Sequence, residues 1–345
     1  MKIRCGVIGF GMAARTFHIP FIRALEQFEL SAISTSRGND ALETHPGIRH
    51  YAEAEALLAD PELDLIVITS PNDSHYPLAL QALQRGYHVL VEKPFTLRGR
   101  EAARLVEEAR RSDKMLTVFH NRRRDADFLS LQELIASGRM GRLTHFESRF
   151  DRFRPNVRER WREADVPGAG LLYDLGSHLI DQTLCLFGMP DWIQADVERQ
   201  RSGAKADDYV HLIMGYDSFR AELHMSSFVN GPLPRLALHG EGGSFIKYGL
   251  DAQEDQLKSG LSPLDLEFGQ EDESNYGTFY PAPEGTTPQV IPSLKGDYAG
   301  FYSQLAAAIA GQKAVPVPPE EAARVIDIIE LAQKSAGKGR RIRIR

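Results

Sequence analysis

Cysteine is scarce in this chain, with only Cys5 and Cys185 among 345 residues. Two thiols cannot build the multi-bridge framework of a small secreted protein, and they cannot supply the thiolate set of a structural zinc site. Both lie in apolar stretches, where buried and reduced thiols are expected. The scarcity excludes a disulfide scaffold and favours a reducing compartment, so the cytoplasm is the expected location.

Long hydrophobic runs and an excess of basic charge are also missing. The longest apolar stretches are of strand length, as at 65–68, far short of the roughly 20 residues of a transmembrane helix. Residues 3–9 contain an arginine and glycines where a signal peptide needs an uninterrupted apolar core. Lys and Arg number 41 against 47 Asp and Glu, a net charge of −6. We therefore expect neither a nucleic-acid nor a membrane partner.

The length points to two domains, since about 150 residues is typical of one. Up to residue 121, short apolar runs alternate with amphipathic helical patterns. The predicted strands are 3–8, 30–34, 65–69, 88–91 and 115–119, and the predicted helices are 13–28, 52–59, 76–85 and 98–111. Each predicted strand is apolar at its centre, which is typical of a parallel sheet covered on both faces. The alternation predicts an α/β fold whose domain 1–121 is a Rossmann-type, doubly wound parallel sheet.

Beyond residue 121 the pattern changes to one of alternating strands. A helix at 128–137 and strands at 143–150, 208–216, 219–226 and 236–240 predict an α+β domain, residues 122–345, with a large, mostly antiparallel open sheet. We expect surface loops over 251–296 and a final helix at about 319–336. An open sheet face needs a cover, so we expect a homodimer or homotetramer. Leu212, Met214, Leu223 and Met225 are candidates for that face, although alternation alone leaves the outward set undetermined.

A glycine-rich turn, Gly9-Phe10-Gly11-Met12-Ala13-Ala14, joins the first predicted strand to the first helix. Gly9 suits a tight turn, Gly11 lets backbone approach a pyrophosphate, and Ala14 permits close helix–strand packing. Such a turn can be purely steric, but at the first strand–helix turn of an alternating pattern it predicts a dinucleotide site. The expected cofactor contacts here are Gly9, Phe10, Gly11, Met12 and Ala13.

The end of the second strand indicates which nicotinamide cofactor is preferred. An acidic residue about 20 residues past the glycines would bind the ribose 2′-hydroxyl of NAD, whereas a cation with small donors accepts the 2′-phosphate of NADP. This chain has Ser34-Thr35-Ser36-Arg37. With Ser36 and Arg37 as phosphate contacts, we predict a preference for NADP(H) over NAD(H). The alternative is a solvated turn whose arginine has no ligand.

Three further motifs carry a resemblance to a known family. They are Thr69-Ser70-Pro71-Asn72-Asp73-Ser74-His75, Val91-Glu92-Lys93-Pro94-Phe95, and the glycine-rich segment 168–178 that ends in Asp174-Leu175-Gly176-Ser177-His178. Together with the glycine turn they resemble the Gfo/Idh/MocA family of nicotinamide-dependent oxidoreductases. Segments 119–123 and 146–153 resemble the branch that includes YdgJ-type proteins and NADP-dependent scyllo-inositol dehydrogenases.

The resemblance implies an enzyme that interconverts a secondary alcohol and a ketone on a polyol, cyclitol or sugar. It implies that Lys93 hydrogen-bonds the reacting oxygen and holds His178 neutral enough to act as a base, while Asp174 fixes the substrate hydroxyl. The further cofactor contacts it implies are Ser70, Pro71, Asn72, His75, Glu92, Lys93, Trp161 and Arg162. The substrate contacts it implies are Lys93, Asn121, Arg122, Asp174 and His178.

The residue chemistry agrees with these roles. Lys93 follows a strand at its carboxyl end, where open parallel sheets bind ligands. Asp174 and His178 are four residues apart, so on a helix they project from one face. An imidazole titrates near working pH and suits proton transfer. A surface pair is the alternative reading, and a metal site is not expected because two ligands are too few.

An arginine-rich segment leaves the substrate open. Two interpretations remain, because the cluster can receive a carboxylate or phosphate of an anionic sugar derivative, or pair with nearby acidic residues. A catalytically silent NADP-binding sensor is a function of another class, since the fold alone does not imply chemistry. A net non-redox reaction with an internal redox cycle is a third possibility. The cluster comprises Arg149, Arg152, Arg154, Arg158, Arg160 and Arg162.

Overall fold

The structure is a computed structural model that describes residues 2–344. The chain forms two compact units. The first runs up to Asn121 and also contains Gln253–Phe268 and Asp297–Ile326, and the second contains Arg122–Ala252, Gly269–Gly296 and the residues from Asp327 onward. This differs from a single division after residue 121. The later segments return to the first unit because their aromatic side chains pack there, as Tyr302 does by stacking on Phe21 with ring centroids 5.1 Å apart.

The first unit is built on a six-stranded parallel sheet with strand order β3-β2-β1-β4-β5-β6. All residues of β4 are buried, as a strand covered on both faces requires. The predicted doubly wound parallel sheet is confirmed. The strands are β1 (Ile3–Ile8), β2 (Phe28–Ser34), β3 (Arg49–Tyr51), β4 (Leu65–Ile68), β5 (His88–Val91) and β6 (Leu116–Val118).

The helices of the first unit begin with a π-helical turn, Ala14–His18, that leads into α1 (Ile19–Ala24). The predicted helix 13–28 is wrong in its last residues, because Phe28 is buried and already pairs with Ile3 as the first residue of β2. Helix α2 and strand β3 are short and were not predicted. The other helices are α2 (Gly38–Thr44), α3 (Ala54–Leu58), α4 (Asn72–Gln84), α5 (Gly99–Ser112), α8 (Gln253–Lys258) and α9 (Tyr298–Ile309).

The second unit is built on a nine-stranded sheet with strand order β14-β13-β12-β11-β7-β10-β9-β8-β15. In the part of the chain that the structure describes, all neighbouring strands are antiparallel except β7 and β10. The predicted mostly antiparallel sheet is confirmed. The strands are β7 (Leu143–Arg149), β8 (Trp192–Glu198), β9 (Tyr209–Gly215), β10 (Arg220–Ser226), β11 (Leu236–Gly240), β12 (Gly243–Lys247), β13 (Gly277–Pro281), β14 (Gln289–Ile291) and β15 (Ile342–Arg343).

The helices of the second unit include α6 (Ala126–Ala136) and α7 (Ser177–Phe187), and α10 (Pro319–Lys338) ends within it. The expectation of surface loops over 251–296 is wrong. This stretch contains α8, β13 and β14, and Phe279 of β13 is buried where it pairs with Phe245 of β12. The Pro, Gly and acidic residues of this stretch are typical of turns, so the sequence predicts loops although short strands lie between the turns.

The two faces of the large sheet differ in chemistry. Leu212, Met214, Leu223 and Met225 have no exposed surface, so they form core and not an uncovered face. Alternation along β9 and β10 turns the intervening polar residues the other way. On that side His211 lies 3.4 Å from Glu222.

The two thiols differ in their surroundings. Cys5 is buried, but Cys185 is exposed on α7, so the expectation of burial is wrong for Cys185. Among residues 2–344, no helix is both long and apolar enough to cross a membrane.

Candidate active site

The carboxyl ends of four neighbouring strands lie side by side in the first unit. Strand register pairs Ile8 with Ile68, Ile68 with Val91, and Val91 with Val118. The strand order changes direction between β1 and β4, which is where open parallel sheets bind nucleotides. The loops that start at this edge are the glycine turn, residues 69–71, residues 92–98 and residues 119–121.

The glycine turn has the backbone geometry that a dinucleotide needs. Gly9 adopts φ +97°, and a Cβ at this position would lie 2.8 Å from Thr69 Oγ1, so only glycine fits. Apart from Gly11 itself, its neighbours in the chain and the backbone of its own helical turn, no heavy atom of the described residues lies within 4 Å of the place where a Cβ of Gly11 would be. Phe10 is buried and Met12 is 50% exposed. Bare backbone before the helical turn that follows Ala13 fits the pyrophosphate of a nicotinamide dinucleotide.

Arg37 lies beside this turn. Its guanidinium donates a hydrogen bond to the Phe10 carbonyl at 2.6 Å, and its backbone N–H donates to Thr35 Oγ1 at 3.1 Å. Ser36 is exposed next to it. Arg15, which sequence reasoning missed, packs its guanidinium 4.2 Å from the Phe10 ring centroid and forms an ion pair with Asp40. Two cations therefore border the glycine turn, one of them already neutralised by an acid.

The loop after β4 leads through Ser70 and Pro71 into α4, whose first residue is Asn72. His75 is buried in this helix, and its ring nitrogens lie 3.0 Å from the Ser70 carbonyl oxygen and 2.8 Å from the Pro94 carbonyl oxygen. The ring joins the loop after β4 to the loop after β5. This geometry gives His75 a positioning role.

Lys93 is held by a chain of buried groups that begins at Glu92. Glu92 Oε2 accepts the Lys93 backbone N–H at 2.9 Å, and Glu92 Oε1 lies 3.0 Å from His18 Nε2. His18 Nδ1 lies 2.6 Å from the Tyr302 hydroxyl. Burial opposes the charge of Glu92, but the hydrogen bond from His18 and the charges of His18 and Lys93 outweigh it and lower the pKa of this carboxyl. An ionised, fixed Glu92 therefore anchors the backbone of Lys93.

In the second unit, Asp174 and His178 lie where a π-helical turn meets α7. Asp174 belongs to the turn Leu172–Gly176, and His178 is the second residue of α7. Both residues lie in helical turns, and the first of these is π-helical, with hydrogen bonds between residues five apart; that Asp174 and His178 share one face stays a prediction. His178 is 6% exposed, and Asp174 is half-buried.

The segment that begins at Arg122 is hydrogen-bonded to α7. Arg123 forms two hydrogen bonds with Asp181, at 2.8 and 2.6 Å. Gln182 Nε2 donates to the Arg122 carbonyl at 2.8 Å. Arg122 is thus fixed to the helix that carries His178.

Trp161 and Arg162 form part of a short 3₁₀ turn in the same unit. The Arg162 guanidinium carbon lies 4.8 Å from the Trp161 ring centroid, and Arg162 Nε lies 3.5 Å from Asp174 Oδ1. The structure therefore places Arg162, predicted as a cofactor contact, against the predicted substrate contact Asp174.

Asp207 supports the π turn and was missed by sequence reasoning. It accepts the Leu172 backbone N–H at 2.8 Å. A Cβ on Gly170, which has φ +93°, would lie 2.0 Å from Asp207 Oδ1, so this position requires glycine. Burial raises the pKa of Asp207 to about 6, although backbone hydrogen bonds oppose the rise.

This raised pKa predicts a pH-dependent stability difference. A carboxyl with a pKa of about 6 when folded, against 3.8 ordinarily, stabilises the fold below about pH 4 and loses that contribution as pH rises through 6. The expected size is about 3 kcal/mol. Asp207→Asn keeps an acceptor for Leu172 and removes the titration. The melting temperature of the variant relative to wild type should therefore rise between pH 4 and 7, whereas a constant difference would contradict the assignment.

The strand order, the glycine turn and the anchored lysine define a dinucleotide-dependent oxidoreductase. Residues 3–120 match the sequence model of the oxidoreductase family's NAD-binding Rossmann fold, and residues 132–344 match that of its C-terminal alpha/beta domain. The chain belongs to the Gfo/Idh/MocA oxidoreductase family, as the motifs predicted.

Named relatives extend this similarity over nearly the whole chain. The chain is 41% identical to the uncharacterized oxidoreductase YdgJ of Escherichia coli, covering 97% of this chain and 96% of that protein. It is 39% identical to scyllo-inositol 2-dehydrogenase (NADP(+)) IolW of Bacillus subtilis, covering 99% and 95%. The solved structure of yvaA from Bacillus subtilis superposes with a TM-score of 0.96 at 38% identity, covering 100% and 99%.

Proposed function

We propose that this oxidoreductase uses NADP(H) to interconvert a secondary alcohol and a ketone on a polyol, cyclitol or sugar. The observation that carries the proposal is the anchoring of Lys93 by the buried Glu92–His18 pair at the sheet edge that also holds the glycine turn. This support fixes the backbone that carries Lys93 at the carboxyl edge of the sheet, where open parallel sheets bind ligands. The similarity to a relative named as an NADP(+)-dependent scyllo-inositol dehydrogenase favours a cyclitol among these substrates.

The residue roles follow from their chemistry. The nicotinamide ring accepts or donates the hydride when the cofactor is bound. Lys93 hydrogen-bonds the reacting oxygen and stabilises its negative charge, and His178 removes or returns the hydroxyl proton. Asp174 accepts a hydrogen bond from a substrate hydroxyl, and Asn121 and Arg122 contact the remaining hydroxyls.

Arg37 supplies the preference for NADP(H) over NAD(H). In Arg37→Ala the dissociation constant for NADPH should rise about tenfold, because a charge-assisted hydrogen bond to the 2′-phosphate is lost. The constant for NADH, which lacks this phosphate, should change less than twofold. Arg104→Ala, an exposed arginine of α5, is the matched control. If NADPH and NADH bind with equal affinity and Arg37→Ala changes neither affinity, Arg37 does not determine the cofactor preference.

The activity itself is tested by initial rates of NADP⁺ reduction with inositols, neutral sugars and sugar acids, with NAD⁺ in parallel. We expect reduced nicotinamide to accumulate with at least one polyhydroxylated substrate and faster with NADP⁺. Tight NADPH binding with no rate on any substrate would instead favour the sensor function.

A further inference from the structure

Arg235 is a buried charge that the proposed mechanism does not use. It lies one residue before β11, and its backbone is hydrogen-bonded on both sides. Its N–H donates to the Lys247 carbonyl at 2.8 Å, and its carbonyl accepts the Arg149 N–H at 2.9 Å. Burial lowers the pKa of Arg235, and the charge of Asp127 opposes this shift. The guanidinium is therefore held inside the second unit on a fixed backbone.

The Arg235 side chain contacts three elements of the second unit. Nη1 donates to Ser148 Oγ of β7 at 2.6 Å, and Nη2 donates to Gln182 Oε1 of α7 at 3.0 Å. Nε lies 3.6 Å from Asp127 Oδ2 of α6, and among the described residues neither Nε nor either Asp127 oxygen has a hydrogen-bond partner. A buried ion pair of this kind adds little to stability, because desolvation offsets the attraction. The ion pair by itself does not explain why a guanidinium occupies this position.

The contact with Arg235 fixes the orientation of the Gln182 amide group. A guanidinium has donors only, so the amide atom that faces Arg235 is the oxygen. The amide nitrogen then faces the Arg122 backbone carbonyl, which only accepts, and donates to it at 2.8 Å. Gln182 is 1% exposed, so solvent has almost no access to either bond. The hydrogen bonds thus run in one direction, from Arg235 through Gln182 to Arg122.

Gln182 joins the proposed base to a proposed substrate contact. His178 and Gln182 are four residues apart within the α-helix α7, so they lie on one face of it. Arg122 is buried, with its guanidinium 3.0 Å from Asp125 and 4.9 Å from the Phe150 ring centroid. The bond from Gln182 therefore fixes the backbone of Arg122 to the same helix face that carries His178.

We propose that Gln182, oriented by Arg235, is a positioning residue for substrate binding, which holds Arg122 at a fixed place relative to His178. The proposal rests on the proposed function, in which one substrate contacts both Arg122 and His178. Such a substrate needs the two residues at one spacing, and a misplacement on the order of 1 Å removes much of the benefit of groups positioned in advance. Gln182 and Arg235 act through Arg122 and do not touch the reacting atoms.

Two variants of Gln182 separate its two hydrogen bonds. Gln182→Met removes both bonds with a side chain of similar length, whereas Gln182→Glu keeps an acceptor for Arg235 and removes only the donor to Arg122. We expect either variant to raise KM for the best substrate about fivefold or more, since the Arg122 carbonyl loses its buried partner. In Gln182→Met, kcat should fall less than about threefold, because Lys93 and His178 remain.

Thr183→Val is the matched control in the same helix. Thr183 is buried, and its hydroxyl donates to the Leu179 carbonyl at 2.7 Å, a bond internal to α7. The variant removes a buried hydrogen-bonding group next to Gln182 and leaves the bond to Arg122 in place. Its KM should change less than about twofold, because a hydroxyl bonded to the carbonyl four residues earlier adds little to a helix.

A double-mutant cycle tests whether Gln182 acts through Arg122. In the Arg122→Gln background, Gln182→Glu should change KM less than about twofold, because the guanidinium that it positions is gone. A KM that stays at the wild-type value in either single variant of Gln182 would overturn the proposal. A rise in KM that persists undiminished in the Arg122→Gln background would also overturn it.

Hydrogen exchange separates this proposal from the proposed function, because it needs no substrate. The backbone amides of residues 122–125 should exchange faster in Gln182→Glu than in wild type or Thr183→Val, since local opening becomes easier. If wild type oxidises no substrate, the proposed function fails, yet faster exchange in Gln182→Glu still supports the positioning role. Equal exchange in all three proteins overturns the proposal even if the enzyme is active.

Discussion

Lys93→Met is expected to lower kcat by at least about 100-fold while NADPH binding changes little. The variant keeps the length of the side chain and removes the charge that stabilises the reacting oxygen. The hydrogen bond from the backbone N–H of residue 93 to Glu92 should remain, because it does not involve the side chain of residue 93. Steady-state rates on the best substrate and a fluorescence titration with NADPH measure the two effects.

Lys114→Met is the matched control for this experiment. Lys114 precedes β6 at the amino edge of the same sheet, so the same substitution there should leave kcat within twofold. A near-normal rate for Lys93→Met would remove Lys93 from the mechanism. A large loss in both variants would point to general damage to the unit.

His178→Asn is expected to cause a loss of similar size, again about 100-fold or more in kcat. Asparagine retains a hydrogen-bonding side chain but cannot shuttle the proton of the hydroxyl. The pH profile adds a second readout, since a limb in kcat that reports ionisation of the base should disappear in the variant. A structural role alone would lower the rate and leave the shape of the profile unchanged.

His145→Asn controls for the loss of a histidine in the same unit. His145 lies on β7, half-buried and 3.4 Å from Glu147, and has no assigned role in catalysis. Its variant should keep the wild-type rate and profile. If His178→Asn retained both, another group would have to be the base.

The motifs of the site could be predicted from sequence because each is local. Gly9 and Gly11 lie within one turn, and Glu92 and Lys93 are adjacent at a strand end, so their environment follows from the alternation of strands and helices. The strands of the first sheet other than β3 were predicted for the same reason. Their apolar runs leave no polar face that another arrangement could expose.

The supporting residues could not be predicted because their partners are distant in sequence. His18 lies 74 residues from Glu92 and 284 from Tyr302, and no motif links the three. Asp207 reaches Leu172 across 35 residues. Buried polar groups need hydrogen-bond partners, but the sequence alone does not indicate which residues supply them.

Local spacing missed details at two helices for a related reason. It predicted a helix at Asp174 and His178 but not that the helix begins as a π turn, where Asp207 accepts the Leu172 N–H. The helix after the glycine turn also begins as a π turn, and it ends earlier than predicted because Phe28 is buried in the sheet. Asp207 and the strand partner of Phe28 are distant in sequence, so local spacing does not reveal these contacts.

The most direct test of the account is hydride transfer itself. NADPH deuterated at the C4 position of the nicotinamide would be mixed with the ketone of the best substrate, and the product analysed by mass spectrometry. When the label is on the C4 hydrogen that the enzyme transfers, we predict one deuterium in the wild-type product, on the carbon that carries the new hydroxyl. Lys93→Met should give no deuterated product on the same time scale. Unlabelled product, or no product despite tight NADPH binding, would contradict an oxidoreductase of this kind.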